Sequence, residues 1–185
     1  IPTCFLLARA LRGIDIREHG SGNPGAANVY RVVGPAAGLA TLALDAAKGF
    51  LPVYLAARLS SQPAWLAAAC GGAAVVGHDW SPFLGFGGGK GVATTAGVFA
   101  ALCPQGLLVS YAAFVAGVTL SGHISVGSMS GAAVFPLAAL AAGAGPAAMT
   151  LAAPAALLIL YRHIPNIESL RTGEPLAVRP KNVTG

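Results

Sequence analysis

Five glycines stand within seven residues, from Gly85 to Gly91, and they surround Lys90, the only lysine between residues 49 and 180. Each glycine weakens a helix, so this stretch predicts a loop whose backbone bends freely and turns bare N–H groups toward a ligand. With the Lys90 ammonium among those amides, the loop predicts a binding site for an anion, most simply a phosphate. A flexible interhelical turn with one interfacial lysine is the alternative that this loop alone leaves open.

Two nucleotide-binding patterns are excluded by the residues around the glycines. A Walker A loop needs Ser or Thr after its lysine, and here Gly91 follows Lys90. Gly20, Gly22 and Gly25 satisfy the spacing GxGxxG. That fingerprint requires a hydrophobic strand before it, and the preceding segment is charged, so a dinucleotide site is rejected.

The segment around those three glycines carries neutral hydrogen-bonding groups. Ser21, Asn23 and Asn28 are the side chains concerned, and Arg31 follows Asn28 by about one helical turn. The run 23–25, Asn-Pro-Gly, is typical of a turn that opens a short helix. A polar interfacial turn without function is the alternative for this segment.

Two further polar segments lie nearer the C-terminus. A cluster follows the last apolar run and consists of Arg162, His163, Asn166 and Glu174. A positively charged segment next to a membrane is by itself only an orientation signal. Residues 121–131 are rich in hydroxyls and are predicted to form a loop, in which serines usually satisfy backbone groups at helix ends.

The elements that must position these loops are membrane helices. The chain has 185 residues, of which 55% are hydrophobic and 9% charged, whereas soluble domains carry about 25% charged residues. Its mean hydropathy is +0.70. Seven apolar runs cover 1–11, 36–57, 65–76, 92–102, 106–120, 132–142 and 147–161.

The sequence therefore predicts an all-α, polytopic integral membrane protein with about seven short transmembrane helices around a loop-lined active site. Several runs are shorter than the roughly 20 residues that cross hydrocarbon, so irregular backbone around a protein-lined cavity is expected. We predict one transmembrane domain over residues 1–185. Because the chain begins at Ile1 and its first run is short, we expect the first helix to be truncated at its N-terminus.

The charges predict which way the loops face. With seven spans, the arginines of the first loop, Lys90, Arg162 and all four histidines fall on one side, and the loops of the other side hold only Arg58. By the positive-inside rule that side is the cytoplasm and the N-terminus is outside. The net charge of +5 is thus explained by membrane orientation, and no nucleic-acid partner is predicted.

One charged pair lies inside a predicted span. Asp45 and Lys48 are three residues apart and share a helix face. An internal ion pair that fixes helix packing is the favoured interpretation, and a second cation near the site is the other.

The three cysteines have no CxxC spacing and are expected to be packing residues. The scattered histidines offer no convincing ligand set, so no metal is predicted.

Three of these loops together resemble the bacterial acyl phosphate:glycerol-3-phosphate acyltransferase family, PlsY. The matching segments are 20–31, 77–94 and 162–175, in the family's order and between apolar runs. Ser125 and Ser128 also stand where that family carries serines. The sequence departs from the family at Ala27, Gly87 and Gly122, where the family usually has Thr, Lys and Arg.

The resemblance implies a one-step acyl transfer. A fatty acyl phosphate gives its acyl group to the sn-1 hydroxyl of glycerol 3-phosphate, and lysophosphatidate and inorganic phosphate result. No cofactor and no metal are implied. The implied setting is the inner (plasma) membrane of a bacterium, with a functional link to a soluble enzyme that makes acyl phosphate. Since neither a Ser-His-Asp order nor an HxxxxD signature is present, a phosphate oxygen of the donor is the hypothetical acceptor of the hydroxyl proton.

The resemblance also assigns roles to residues. The catalytic positions it implies are Ser21, Lys90, Ser128, His163 and Asn166. The substrate-binding positions it implies are Gly20, Gly22, Asn23, Gly25, Asn28, Arg31, His78, Gly88, Gly89, Gly91, Ser125, Arg162 and Glu174.

A small membrane transporter of a phosphorylated or anionic solute is the alternative function. Short, glycine-broken spans with a charged pair near their middle suit such a protein. Against it, the sequence shows no internal repeat, and its polar groups gather on one face, whereas transport needs access from both.

Overall fold

The computed structural model describes residues 1–173, and this part of the chain is helical and contains no strand. Its nine α-helices are α1 (Thr3–Arg12), α2 (Ala26–Val32), α3 (Pro35–Leu59), α4 (Pro63–Asp79), α5 (Val92–Leu102), α6 (Pro104–Ser121), α7 (Ile124–Ala141), α8 (Pro146–Arg162) and α9 (Ile164–Thr172). The two short 3₁₀ turns Ile16–Glu18 and Pro82–Leu84 lie in the loops. The predicted all-α class is confirmed.

Each of the seven apolar runs forms a helix, but fewer helices are long enough to cross a membrane alone. Within residues 1–173, α3, α6 and α7 meet that test by length and hydropathy, and α8 with α9, bent by 41° at their junction, would make a fourth. The helix α5 has only 11 residues. The expectation of short and broken helices thus agrees with the structure, while the count of seven spans stays a prediction.

Proline and glycine set many of the helix ends. A proline occupies the first position of α3, α4, α6 and α8, where its missing N–H costs no hydrogen bond. Gly13, Gly122 and Gly173 follow α1, α6 and α9 in the left-handed conformation that closes a helix.

The prediction of a loop over residues 121–131 is wrong for most of that range. The helix α7 begins at Ile124, so Ser125 and Ser128 lie on its first two turns. Hydroxyls are compatible with a helix here because the Ser128 hydroxyl donates to the Ile124 carbonyl one turn earlier, at 3.0 Å.

Small residues allow α3 and α5 to cross closely. A Cβ atom at Gly97 would overlap the carbonyl of Ala46, and one at Gly49 would overlap the carbonyl of Thr94. Close backbone approach through small residues is the usual way in which membrane helices associate. Val53 of α3 and Val98 of α5 are fully buried in the main apolar core.

The other helices pack around the α3–α5 pair, and the main apolar core contains residues of α3, α4, α5, α7 and α8. The helix α6 packs chiefly on α7, α7 packs also on α8, and α4 packs on both α3 and α8. A smaller core, which includes Cys4, Ile16 and Val29, joins α1 and α2 to α3. The space between the α3–α5 pair and the α6–α7 pair is an apolar cleft, described below.

Candidate active site

The glycine loop between α4 and α5 is packed tightly on the end of α4. A Cβ atom at Gly88 would overlap the backbone carbonyls of His78 and Asp79, and one at Gly89 would overlap the His78 ring. Gly91 has φ +71° where α5 begins, a conformation that glycine adopts without strain. These glycines are therefore required by close approach and by backbone conformation, which a mere flexible turn would not need.

Lys90 is half-buried and points from this loop toward α9. Its ammonium donates to the Oδ1 atom of Asn166 in α9. Burial, and after it the nearby guanidinium groups of Arg162 and Arg31, together lower the pKa of Lys90 to about 8. An ammonium has three N–H donors, so two remain beside the bond to Asn166 for an anionic ligand that would compensate this charge.

Arg162, at the end of α8, holds the glycine loop to α4. Its Nε and Nη2 atoms donate to the Gly89 carbonyl at 3.0 and 2.8 Å, and Nη2 donates to the Asp79 carbonyl at 2.5 Å. Its Nε atom also lies 3.7 Å from a carboxylate oxygen of Asp79, and its guanidinium covers the Trp80 ring. The predicted substrate-binding role of Arg162 stays a prediction, and the contacts it makes are those of a clamp.

The first loop is organised by the side chain of Asn28. This amide is buried, its oxygen accepts from the Ser21 N–H at 3.0 Å, and its nitrogen donates to the carbonyls of Ile16 and His19. Gly20, at φ +60°, leaves room for that amide oxygen. Asn28 thus shapes the loop from within, so contact with a substrate would have to come from its neighbours.

Four of those neighbours are accessible or partly accessible. Ser21, Gly22 and Asn23 are half-buried, and Arg31 is exposed on α2. Gly22 has φ +68°, and a Cβ atom at Gly25 would come within 2.8 Å of the Asn23 amide nitrogen. The predicted turn before a short helix is confirmed, because α2 begins at Ala26.

Lys48 and His78 belong to a buried polar network beside the glycine loop. Lys48 donates to Asp45 at 2.6 Å and to the Nδ1 atom of His78 at 2.8 Å, and Asp45 also accepts from Thr3. The structure supports the interpretation of Asp45 and Lys48 as an internal ion pair. The His78 ring is held by Lys48 on one nitrogen and packs against Gly89. It therefore contacts the glycine loop that would bind a substrate.

A small cavity is lined by residues of both polar loops. Its volume is about 10 Å³, room for roughly one water molecule, and its lining includes Pro24 of the first loop and Gly88 and Gly89 of the glycine loop. Lys48 and His78 also line it. The sequence predicted that these loops share a face, and in the structure both border this cavity.

His163 is buried between α8 and α9, near Lys90. Its Nδ1 atom lies 2.8 Å from the Ile159 carbonyl, which can only accept, so the ring proton is on Nδ1 and Nε2 is an acceptor when the ring is neutral. Lys90, His163, Asn166 and Arg162 are therefore gathered at one place. Ser125 and Ser128 lie on α7, where Ser128 lines the apolar cleft, and Glu174 lies outside the described residues.

An apolar cleft of about 320 Å³ begins next to the Lys90 loop. It lies between the α3–α5 pair and the α6–α7 pair, its walls are almost wholly apolar, and Val92, two residues after Lys90, lines it. The rings of Phe99 and Phe135 also line it, and their centroids are 4.2 Å apart. The sequence predicted a protein-lined cavity but not the residues that line this cleft, because its walls come from different apolar runs and only packing brings them together.

Three hydroxyls also line the cleft, on Thr95, Ser110 and Ser128. Two of them have partners: Ser110 donates to the Gly131 carbonyl at 2.7 Å, and Ser128 donates within its own helix. Thr95 was not among the predicted site residues. The one sequence signal is its place five residues after Lys90, directly after Thr94.

Metal binding finds no support in the described part of the chain. In residues 1–173, His, Cys, Asp and Glu side chains form no group of three or more that could hold a metal ion. The prediction of metal-free chemistry stays a prediction.

The fold and the site define an all-helical membrane protein with a cationic, glycine-lined site above an apolar cleft, an arrangement suited to an amphiphilic anion. Comparisons with known proteins agree. The family model described as glycerol-3-phosphate acyltransferase matches residues 1–173.

Individual proteins match over nearly the whole chain. The glycerol-3-phosphate acyltransferase of Geobacter sulfurreducens is 45% identical over 173 residues, which are 94% of this chain and 88% of the relative. That of Desulforudis audaxviator is 42% identical over 174 residues, 94% of this chain and 87% of the relative. The crystal structure of PlsY (YgiH), an integral membrane glycerol 3-phosphate acyltransferase, in its glycerol 3-phosphate form has a TM-score of 0.86 at 34% identity, covering 94% of this chain and 88% of that one.

The chain belongs to the glycerol-3-phosphate acyltransferase family. The predicted resemblance and the predicted enzyme class, an acyltransferase, are confirmed by these matches. The alternative of a transporter receives no support from them.

Proposed function

We propose that this protein transfers a fatty acyl group from acyl phosphate to the sn-1 hydroxyl of glycerol 3-phosphate, giving lysophosphatidate and inorganic phosphate for membrane phospholipid synthesis. One observation carries the proposal: Lys90 and the glycine loop lead directly into α5, whose next residues line the apolar cleft. An acyl phosphate has the same two parts in the same order, a phosphate and an apolar chain.

The relatives support the acceptor and the product. The matched relatives are named for glycerol 3-phosphate, and PlsY structures exist in a glycerol 3-phosphate form and a lysophosphatidic acid form. Both molecules carry phosphate, so a site for this reaction needs anion-binding groups more than it needs a nucleophile. Preorganised donors of that kind are usually the largest catalytic contribution.

The roles we propose follow the positions of the side chains. The two remaining donors of Lys90 and the glycine amides would hold a phosphate, and Arg31, Ser21 and Asn23 would complete the anion site from the first loop. Asn166 orients the Lys90 ammonium through their hydrogen bond. A phosphate oxygen of the donor would accept the proton of the attacking hydroxyl. The alternative proton acceptor on the protein is the Nε2 atom of His163.

The deciding experiment uses the purified full chain in detergent, with acyl phosphate and glycerol 3-phosphate as substrates. We expect lysophosphatidate and inorganic phosphate in equal amounts, no transfer from acyl-CoA, and unchanged rates after exhaustive treatment with EDTA. Transfer from acyl-CoA alone would refute the proposed donor. Loss of activity with EDTA and recovery with one divalent metal would refute the metal-free chemistry.

The rate is expected to fall as the pH rises through about 8. The pKa of Lys90, ordinarily 10.5, is lowered to about 8, so the cation that binds phosphate is present below that pH and is lost above it. We expect kcat/KM to drop about tenfold per pH unit on the alkaline side. Bound phosphate favours the cation, so the corresponding fall in kcat should occur at higher pH.

The variant Lys90→Arg is the control for this pH profile. A guanidinium stays charged beyond pH 12, so whatever activity the variant retains should show no decline between pH 8 and pH 10. An alkaline decline of equal size in both proteins would show that another group causes it.

We further propose that the protein lies in the inner membrane with its polar loops facing the cytoplasm, where a soluble enzyme would supply acyl phosphate. Single cysteines at Ala27 and Phe86, both exposed, should be labelled from the cytoplasmic side in a chain whose native cysteines are replaced. A cysteine at Ser61, exposed between α3 and α4, should be labelled from the other side. If the cysteines at positions 27 and 86 were labelled from opposite sides of the membrane, the two loops could not form one site.

A further inference from the structure

The hydroxyl of Thr95 has no hydrogen-bond partner among residues 1–173. Thr95 is 7% exposed, lies in the first turn of α5, and lines the apolar cleft. Its backbone N–H donates to the Gly91 carbonyl at 2.7 Å, so its main chain is satisfied and only the side chain is not.

Among the threonines in the described helices, only Thr95 and its neighbour Thr94 have such a hydroxyl. Threonine hydroxyls in helices commonly donate to a carbonyl one turn earlier, as Thr41 does to Ala37 at 2.8 Å in α3. The two serines of the same cleft donate to backbone carbonyls as well. A buried donor without an acceptor destabilises the fold, so it calls for an explanation, and a ligand that supplies the acceptor is one.

The position of Thr95 along α5 indicates which part of a ligand it would meet. Thr95 stands three residues after Val92, where α5 follows the Lys90 loop, and it precedes Phe99 by about one turn. It therefore lies between the proposed phosphate site and the closed, aromatic part of the cleft. In an acyl phosphate the carbonyl group lies between the phosphate and the chain.

We propose that Thr95 is a further catalytic residue, whose Oγ–H donates to the carbonyl oxygen of the acyl phosphate. This inference rests on the proposed function. It assigns a reaction role to a side chain outside the predicted catalytic set, and it explains why the hydroxyl is kept in an apolar wall without a protein partner.

The step it assists is balanced without any further reactant. The sn-1 oxygen of glycerol 3-phosphate forms a bond to the carbonyl carbon, and the carbonyl π electrons move to the carbonyl oxygen, which then carries the negative charge. The Thr95 hydroxyl donates to that oxygen. When the electron pair on that oxygen re-forms the carbonyl, the bond between the carbonyl carbon and the phosphate oxygen breaks and its electron pair leaves with phosphate. The proton of the sn-1 hydroxyl goes to a phosphate oxygen, and Thr95 keeps its own proton.

The test compares three variants. Thr95→Val removes the hydroxyl and keeps the branched shape, and Thr95→Ser restores a hydroxyl. Thr94→Val is the matched control: Thr94 is fully buried and its hydroxyl also has no partner in the described residues, but it does not line the cleft. All three are measured for kcat, for KM of acyl phosphate, and for Tm in detergent.

We expect Thr95→Val to lower kcat by 10- to 1000-fold with KM changed less than threefold, because the hydrogen bond strengthens as charge develops on the oxygen. Thr95→Ser should recover most of the rate, and Thr94→Val should remain close to the wild type. Neither valine variant should lower Tm, since each replaces an unsatisfied buried hydroxyl with a methyl group.

Three outcomes would overturn the inference. The first is a kcat of Thr95→Val within threefold of the wild type. The second is an equal loss in Thr95→Val and Thr94→Val, which would indicate packing. The third is a wild-type protein that makes no lysophosphatidate from acyl phosphate, which removes the proposed function and this role with it. The first two leave the proposed function standing, so the failures are distinguishable.

Discussion

Replacing Lys90 with methionine is expected to lower acyl transfer by 30- to 1000-fold while the protein still folds. Lys90 donates to Asn166 and keeps two N–H donors for a ligand in a half-buried site. Methionine has a similar length without the charge, and the loss of a charge-assisted hydrogen bond to phosphate in such a site costs on the order of 2–4 kcal/mol. The rate is measured at matched amounts of monodisperse protein.

Two further variants determine how the Lys90 result is interpreted. Lys90→Arg should also lose activity, because a planar guanidinium does not fit a pocket formed around a compact ammonium and its bond to Asn166. Arg58→Met is the matched control, since Arg58 is an exposed cation at the far end of α3, stacked on Tyr54. If Lys90→Met turned over substrate at nearly the wild-type rate, Lys90 would not be the phosphate ligand.

Replacing Gly97 with alanine is expected to destabilise the whole bundle. The added Cβ atom would overlap the Ala46 carbonyl, which is backbone and cannot move aside as a side chain can. The helices α3 and α5 would have to separate, at a cost of about 1–3 kcal/mol, a large share of the roughly 5–15 kcal/mol that stabilises a typical protein. The expected measurement is a lower Tm and a smaller monodisperse fraction after extraction.

Gly72→Ala is the matched control for this substitution. Gly72 also lies inside a helix, but its added Cβ atom would stand 3.5 Å from Leu151, an ordinary contact. Alanine there should raise stability by about 0.5–1 kcal/mol through helix propensity. If both alanines had the same effect on Tm, the close crossing of α3 and α5 would not be a major source of stability.

The class of the fold was predictable because hydropathy reports burial in a membrane directly. The ends of the helices were less predictable where polar residues continue a helix. Ser125 and Ser128 look like loop residues in sequence, yet α7 contains them because a serine hydroxyl can bond to the preceding turn.

The candidate site was predictable only where the backbone itself carries the signal. Five glycines around Lys90 predict an anion-binding loop, and in the structure Lys90 is half-buried and donates to Asn166. Sequence cannot show which side chains the fold itself uses: Asn28 and Arg162 were predicted to bind substrate, and their bonds go largely to backbone groups. A protein-lined cavity was expected, but the residues that line the cleft, Thr95 among them, were not predicted, since they are brought together only by packing between distant helices.

The clamp formed by Arg162 has a consequence for the order in which the site is made during translation. Arg162 and the Gly89 carbonyl to which it donates are separated by 73 positions along the chain. The glycine loop is therefore synthesised and inserted long before the side chain that fixes it to α4 leaves the ribosome. Because Asn166, the partner of Lys90, comes later still, a nascent chain that has inserted everything up to α7 has the loop but no anchored anion site. The proposed catalytic site is therefore complete only when the last helices dock.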